Sequence, residues 1–240
     1  MGIAIRKGVL YTLLLLLSPG IGAEGCDEST WTTDLQQVLE RPASPTTISA
    51  LNPGAFESQG LRAEVFSLAL KAYQAAVARG ETSKSILTVI DYSLPSDQKR
   101  LWVIDLESAR LLFHEYVSHG KGSGTKNSTR FSNVPQSKTS NIGLMKTAET
   151  YWGQHGYSLK LDGLEDGFND NARSRAIVIH AASYATEDFA RRNGRLGLSW
   201  GCPALDPAVS TALIDTIKSG SLVFGYAPQE DWLNTSVYLR

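Results

Sequence analysis

The sequence predicts a mainly β domain of the α+β class, with helices inserted between the strands and a helical extension on its N-terminal side. Short runs rich in β-branched and aromatic residues, separated by turn residues, recur through residues 86–226. An amphipathic helix precedes these runs, and a second helix with clear start and stop signals interrupts them. The chain has 240 residues, which is enough to bury a sizeable core without disulfide bonds.

The first residues have the pattern of a secretory signal. Arg6 and Lys7 precede an apolar run over residues 9–17, and small residues follow as far as Ala23. Because that run is too short to span a bilayer comfortably, the pattern favours a cleaved signal at 1–23 over an anchoring helix. We therefore expect the protein to be secreted to a periplasmic or other extracytoplasmic location.

Residues 24–60 are rich in Ser, Thr, Pro and Gly, which predicts a linker or loosely ordered lead-in with at most a short helix near 35–39. Cys26 in this stretch leaves three alternatives open. It could be lipidated, although the preceding Ala-Glu-Gly suits lipidation poorly, it could be bridged to Cys202, or it could remain a free thiol.

Apolar residues at helical spacing predict a helix over 61–79, ended by Gly80 in a left-handed cap. We assign this helix to an N-terminal extension at 61–85, outside a main domain at 86–240. Within that domain, Asp206 as N-cap, Pro207 in the first turn and Gly220 at the end predict a helix over 206–220.

The remainder of the main domain is expected to be a sheet with one long loop. The predicted strands cover residues 86–92, 101–106, 111–117, 157–161, 176–179 and 221–226. Residues 118–147 lack periodicity and predict a long loop, a feature that is often functional in a compact domain.

Composition argues against two classes of function. Lys and Arg number 23 and Asp and Glu number 24, so no basic excess is available to neutralise phosphates, and nucleic acid is not expected as a partner. The sequence has no CxxC or HExxH motif and no cluster of His and Cys, so no metal site is expected.

Cys202 and His180 are the candidate nucleophile and base. His180 ends the apolar run "AIVIH", where sheet packing would hold the imidazole rigidly at the edge of a cleft. Gly201 leaves room beside the thiol, and the predicted start of a helix at Asp206 would favour the thiolate through its dipole. The Cys202 N–H could point at an oxyanion. Taken singly, each residue has an ordinary alternative: a packed thiol, or a hydrogen-bonded structural histidine.

Two motifs together, "IVIHAASY" and "GLSWGCPAL", resemble the murein L,D-transpeptidase family with its YkuD-like catalytic domain. The family signature is a histidine at a strand end followed by a Ser/Thr-x-Gly-Cys element. The resemblance extends over roughly residues 86–226, with "RFSNVPQSKTSNIGLMKTAETYWGQHGYS" similar to the branch described as a murein L,D-transpeptidase catalytic domain. It implies a YkuD-like β-sandwich, no metal or organic cofactor, peptidoglycan stem peptides as substrates, and a loose association with the cell envelope.

The resemblance also implies residue roles. Cys202 would be the acyl-accepting nucleophile, His180 the base that takes its proton, Ser199 a conformational or hydrogen-bonding support, and Gly201 the close-approach glycine. The wider family commonly has a second histidine immediately before that glycine, where this chain has Trp200. It commonly has Arg or Asn two places after the cysteine, where this chain has Ala204.

Substrate contacts are expected from Trp200 and from the long loop. Trp200 could form an apolar wall for the peptide stem, or it could be an aromatic with no substrate contact. Arg130, Ser132 and Asn133 are candidate contacts for a carboxylate-bearing peptide, although each could equally belong to a plain surface loop.

The expected activity is L,D-transpeptidation through a thioester on Cys202. An L,D-carboxypeptidase or an L,D-endopeptidase would use the same nucleophile, so both remain alternatives. A non-catalytic cell-wall-binding domain is the alternative from another class, and it predicts a thiol of ordinary or low reactivity.

Overall fold

The computed structural model describes residues 41–240, and the predictions for the signal at 1–23, the short helix near 35–39 and Cys26 lie outside this range. Ten strands fall within it: β1 Ile86–Asp91, β2 Leu101–Asp105, β3 Arg110–Glu115, β4 His119–Gly120, β5 Gly143–Gly153, β6 Gly156–Gly163, β7 Val178–Ala181, β8 Leu198–Ser199, β9 Ala204–Leu205 and β10 Leu222–Tyr226. The helices are α1 Pro45–Ala50, α2 Ala63–Ala78, α3 Glu187–Asn193, α4 Pro207–Ile217 and α5 Glu230–Thr235, with 3₁₀ turns at Glu57–Gln59 and Ser183–Ala185.

Eight of the strands form one mixed sheet in the order β3-β2-β1-β10-β5-β6-β7-β9. The central strand β1 is buried along its whole length because both faces of the sheet are covered. Leu87 and Val89 face a cluster that includes α2, whereas Ile86 and Ile90 face a cluster that includes α4. The expected mainly β fold with inserted helices is confirmed.

The two edges of this sheet approach each other at the end that carries the candidate site. Immediately after the edge strand β3, Ser118 donates a backbone hydrogen bond to Ala204 of the opposite edge strand β9 (2.9 Å). Strands β4 and β8 then pair in parallel as a separate two-stranded sheet. This closure gives the sandwich-like form and brings the segment after β3 against the segment around Cys202.

The helix predicted over 61–79 is present as α2, but it belongs to the core. Its buried residues, among them Val65, Phe66 and Tyr73, pack with sheet residues in one cluster. The described part of the lead-in, residues 41–60, also contributes Ala43 and Phe56 to this cluster. The core therefore includes residues that precede the main domain assigned to 86–240.

The largest error in the predicted elements concerns β5. Residues 118–147 were expected to be a loop, yet β5 starts at Gly143 and continues for 11 residues. The pattern is weak because β5 is buried mainly in its first half and contains Lys146, Ala148 and Glu149, which are residue types with low strand propensity. The short helices α1, α3 and α5 were also missed. None of the helices between residues 41 and 240 has the length and apolarity needed to cross a bilayer.

Candidate active site

Cys202 and His180 line one cavity of about 570 Å³ at the closed end of the sheet. Strand β7 delivers His180, and the connection between β8 and β9 delivers Cys202. Because β7 and β9 pair in parallel with His180 opposite Ala204, the thiol two residues before Ala204 lies beside Val178 at the start of β7. The structure therefore brings the two predicted reactive groups to the same cavity.

The hydrogen bonding of His180 fixes which ring nitrogen can act as a base. His180 is 2% exposed, and its Nδ1 lies 2.9 Å from the carbonyl oxygen of Ala181. A carbonyl only accepts, so Nδ1 carries the proton and Nε2 keeps a free lone pair. Burial lowers the pKa of His180 below its ordinary value, and the neighbouring His155 lowers it further. At neutral pH the imidazole is uncharged and able to take a proton.

His155 extends the site in a way that the sequence did not indicate. It lies in the turn between β5 and β6, and its ring stacks on that of His180 with centroids 4.4 Å apart and planes 24° apart. The hairpin is braced by Trp152 and Tyr157, whose ring centroids are 5.5 Å apart. One face of the His180 imidazole is thus covered by the His155 ring of the β5–β6 hairpin.

The thiol of Cys202 is half-buried and free. Its Sγ accepts a hydrogen bond from the Val178 N–H (3.5 Å) and donates one to the Ala176 carbonyl (3.5 Å). Burial raises the pKa of Cys202, whereas the Val178 N–H and the guanidinium of Arg175 act in the opposite direction. The net shift is upward because desolvation outweighs these favourable interactions, so the resting group is a thiol.

Ser199 shapes the turn that carries the thiol. Its Oγ donates to the Cys202 carbonyl (2.6 Å) and accepts from the Gly201 N–H (3.1 Å), so one side chain closes both ends of the turn. The Gly201 N–H is consumed and is not a free oxyanion donor. The Cys202 N–H faces its own sulfur, and it bonds no other acceptor within residues 41–240.

Gly201 is required by the packing of the backbone. It has φ of 131°, and a Cβ at this position would lie 2.7 Å from the Thr139 carbonyl oxygen and 2.9 Å from Ile177 Cδ1. A Cβ at Gly120 would likewise come within 2.8 Å of Gly201 Cα. The space beside Gly201 is thus filled by the protein. Close packing of the backbone therefore explains the glycine at this position, whereas we expected it to leave room for a substrate carbonyl.

Arg175 is a site residue that sequence reasoning missed. Its guanidinium donates to the carbonyl oxygens of Ser132 (2.7 Å) and Thr139 (2.8 Å), and also to the side chains of Asn141 (2.7 Å) and Ser137 (3.1 Å). All four acceptors are neutral, so the positive charge beside Cys202 is not compensated by them. The available signal was an arginine just before the buried strand that ends at His180.

Backbone strain is concentrated around the site. Five non-glycine residues among those described take positive φ, and three of them, Gln136 (61°), Lys138 (59°) and Ala176 (54°), line the thiol cavity or the cavity next to it. Such conformations are costly for side chains with a Cβ and persist only where surrounding contacts enforce them. They aim the Ala176 carbonyl at the thiol and shape the loop that Arg175 holds.

The predicted substrate contacts divide into two groups. Trp200 lines the thiol cavity and is 68% exposed. Ser132 and Asn133 line a different cavity of about 470 Å³, and Asn133 donates to Asp170 (2.7 Å). Arg130 is exposed and donates to the Gly122 carbonyl (3.1 Å). The structure does not bring these three loop residues into the lining of the thiol cavity.

Within residues 41–240, no group of three or more His, Cys, Asp or Glu side chains is arranged to hold a metal ion. The chemistry that the described site offers is that of a thiol and a neutral imidazole beside a cation.

The fold and this cavity define a mixed-sheet domain with a Cys-His pair at the closed end of its sheet. The model of the L,D-transpeptidase catalytic domain family matches residues 57–226. The chain belongs to this family. The match starts before α2, in agreement with the extent of the core.

Solved structures with a similar fold are distant in sequence. An L,D-transpeptidase from Mycobacterium smegmatis is 13% identical with a TM-score of 0.38, and the match covers 60% of this chain and 59% of that one. An L,D-transpeptidase from Stackebrandtia nassauensis is 17% identical with a TM-score of 0.37, covering 75% of this chain and 77% of that one. This chain thus spans about three fifths of the M. smegmatis protein. No curated protein matches the sequence. The family assignment rests on the match over residues 57–226.

Proposed function

We propose that the protein is an exported cysteine enzyme that forms crosslinks between peptidoglycan stem peptides by L,D-transpeptidation. The observation that carries the proposal is the position of Cys202 and His180 in one cavity, with Nε2 of the imidazole free to accept a proton. Membership of the L,D-transpeptidase family supports the substrate class. Export rests on the signal pattern at residues 1–23.

The first half of the reaction is acylation. His180 Nε2 takes the proton of the Cys202 thiol as the sulfur attacks the carbonyl that precedes the terminal D-amino acid of a tetrapeptide stem. The peptide C–N bond breaks, the imidazolium returns the proton to the leaving amine, and a thioester remains on Cys202. The Cys202 N–H is the available donor for the oxyanion, because the Gly201 N–H is already bonded.

The second half is aminolysis. The side-chain amine of the diamino acid in a neighbouring stem attacks the thioester, and His180 accepts the proton that the amine loses. The C–N bond forms, the C–S bond breaks, and the thiol is regenerated with its proton. The product is a crosslink between the third residues of two stems. Water in place of the amine would give a tripeptide, which is the product of a carboxypeptidase.

Incubation of the purified protein with disaccharide-tetrapeptide, followed by mass spectrometry of the products, tests this proposal. We expect a crosslinked dimer from the wild type and none from Cys202→Ala, whose change removes the sulfur alone. Ser67→Ala, an exposed serine-to-alanine change on α2, is the matched control and should retain the product. Tripeptide without dimer would identify a carboxypeptidase, whereas unchanged substrate with a folded wild-type protein would contradict both activities.

A further inference from the structure

Two lysines flank the exposed indole of Trp200 at the mouth of the site. Lys138 Nζ lies 4.6 Å from the centre of the Trp200 ring, and Lys121 Nζ lies 5.4 Å from it. Both distances are in the range of a cation–π contact, which holds the ammonium groups near the ring. The Trp200 ring thus has two positively charged ammonium groups next to it.

A second cavity of about 610 Å³ lies next to the thiol cavity. Trp200 and Arg175 line both cavities, so they form the wall between them. Lys138 and Ser174 line the second cavity, and none of its lining residues is acidic. A ligand that extends from the thiol cavity past Trp200 therefore enters a cavity whose charged lining residues are all positive.

These cations have no negative partner in the described part of the chain. Neither Lys121 nor Lys138 forms an ion pair with any carboxylate of residues 41–240. The hydrogen bonds of Arg175 all run to neutral acceptors. Two uncompensated cations, Arg175 and Lys138, line the second cavity, and Lys121 adds a third positive charge at the Trp200 ring. Together they attract an anionic group, and the two ammonium groups retain donors for it.

The backbone ties both lysines to the turn that carries Cys202. The Lys121 N–H donates to the Ser199 carbonyl (2.9 Å), and the Gly122 N–H donates to the Lys138 carbonyl (2.8 Å). Ser140 Oγ donates to the Gly201 carbonyl (3.1 Å) and links the second segment to the same turn. The backbone positions of the two lysines relative to the turn are therefore set by direct hydrogen bonds.

From this arrangement we infer that Lys121, Lys138 and Trp200 form a subsite for the terminal carboxylate of the leaving D-amino acid. The inference rests on the proposed function, because it places the scissile carbonyl at Cys202. The terminal carboxylate lies one residue beyond the scissile carbonyl. The second cavity lies beyond the thiol cavity on the other side of Trp200, so a carbonyl at Cys202 would direct the carboxylate into it. After cleavage, the leaving residue gains an ammonium group, which the same cations repel, and this favours its release.

Binding to the Cys202→Ala protein tests the subsite without catalysis. The probes are disaccharide-tetrapeptide with a free C-terminal carboxylate and the same compound with a C-terminal amide, both measured by calorimetry. We expect the amide to bind about 5- to 20-fold more weakly. Lys138→Met combined with Lys121→Met should abolish this difference by weakening only the acid. Lys71→Met, an exposed lysine on α2, should preserve it.

Equal binding of acid and amide, or a preference that survives in the double lysine variant, would overturn the subsite. Turnover of the acid by the wild type, measured in parallel, separates this failure from failure of the proposed function. Turnover together with equal binding contradicts the subsite alone. If the double lysine variant loses the preference for the acid, the carboxylate subsite is supported. If the folded wild type shows no turnover in the same experiment, the proposed reaction is contradicted.

Discussion

Replacement of Ser199 by alanine should reduce both the stability of the protein and the reactivity of Cys202. Ser199 is 5% exposed, and its hydroxyl makes the two hydrogen bonds that close the turn before the thiol. Ser199→Ala removes one atom and leaves the Cys202 carbonyl and the Gly201 N–H without their partner. The change creates almost no cavity, so its effect reports on these two bonds.

The expected loss follows from the number of bonds. A typical hydrogen bond contributes about 0.5–1.5 kcal/mol net, so two bonds correspond to about 1–3 kcal/mol in the free energy of unfolding. For a domain of this size, each kcal/mol lowers the melting temperature by about 2–4 °C. We therefore expect a decrease of roughly 2–12 °C. The carbonyl of Cys202 would also be free to reorient, which would move the sulfur away from its donor at Val178.

Two measurements check this prediction. Urea unfolding gives the free energy, and alkylation of Cys202 followed by peptide-resolved mass spectrometry gives its rate without interference from Cys26. Ser174→Ala is the control, since this exposed serine has a single hydrogen bond to the Asn171 carbonyl (3.0 Å). If Ser199→Ala matches that control in stability and the wild type in alkylation rate, the turn does not depend on the hydroxyl and the reasoning is refuted.

Two further predictions concern the charges around the reactive pair. His155→Ala exposes His180 and removes a neighbour that lowers the pKa of its imidazole, so this pKa rises toward the ordinary value. The acid limb of the pH dependence of kcat/KM then moves to higher pH. An unchanged acid limb would exclude this influence of His155. Arg175→Met removes a cation that lowers the pKa of Cys202, so alkylation at fixed pH slows. Arg173→Met, which disrupts only surface ion pairs, should not slow alkylation, and equal rates in both variants would contradict the role of Arg175.

Local sequence patterns predicted the elements that hold the reactive pair. The run ending at His180 is buried because the strand has neighbours on both sides, and continuous apolar sequence is the pattern of such a strand. The helix after Asp206 was found because its cap is local: Asp206 Oδ1 accepts from the Ala208 N–H (2.8 Å). The fold class followed from these patterns together.

The missed parts depend on contacts between residues distant in sequence. Arg175 is bonded to residues more than 30 positions earlier in the chain, so its place before the buried strand could not indicate what it binds. His155 reaches His180 only because the β5–β6 hairpin lies over the cavity. The direction of the shift in the pKa of Cys202 also could not be predicted, because burial, which the sequence does not give, determines its sign.

The structure explains the two positions, 204 and 200, at which this chain differs from the wider family pattern. Ala204, where Arg or Asn is common, is fully buried and pairs with His180 in the sheet. Positive charge beside the thiol comes instead from Arg175, on the segment that enters β7. Trp200, where a second histidine is common, supports lysines from two other segments. Because these cations lie outside the cysteine motif, we expect substitutions there to change substrate binding while Cys202 and His180 keep their places in the thiol cavity.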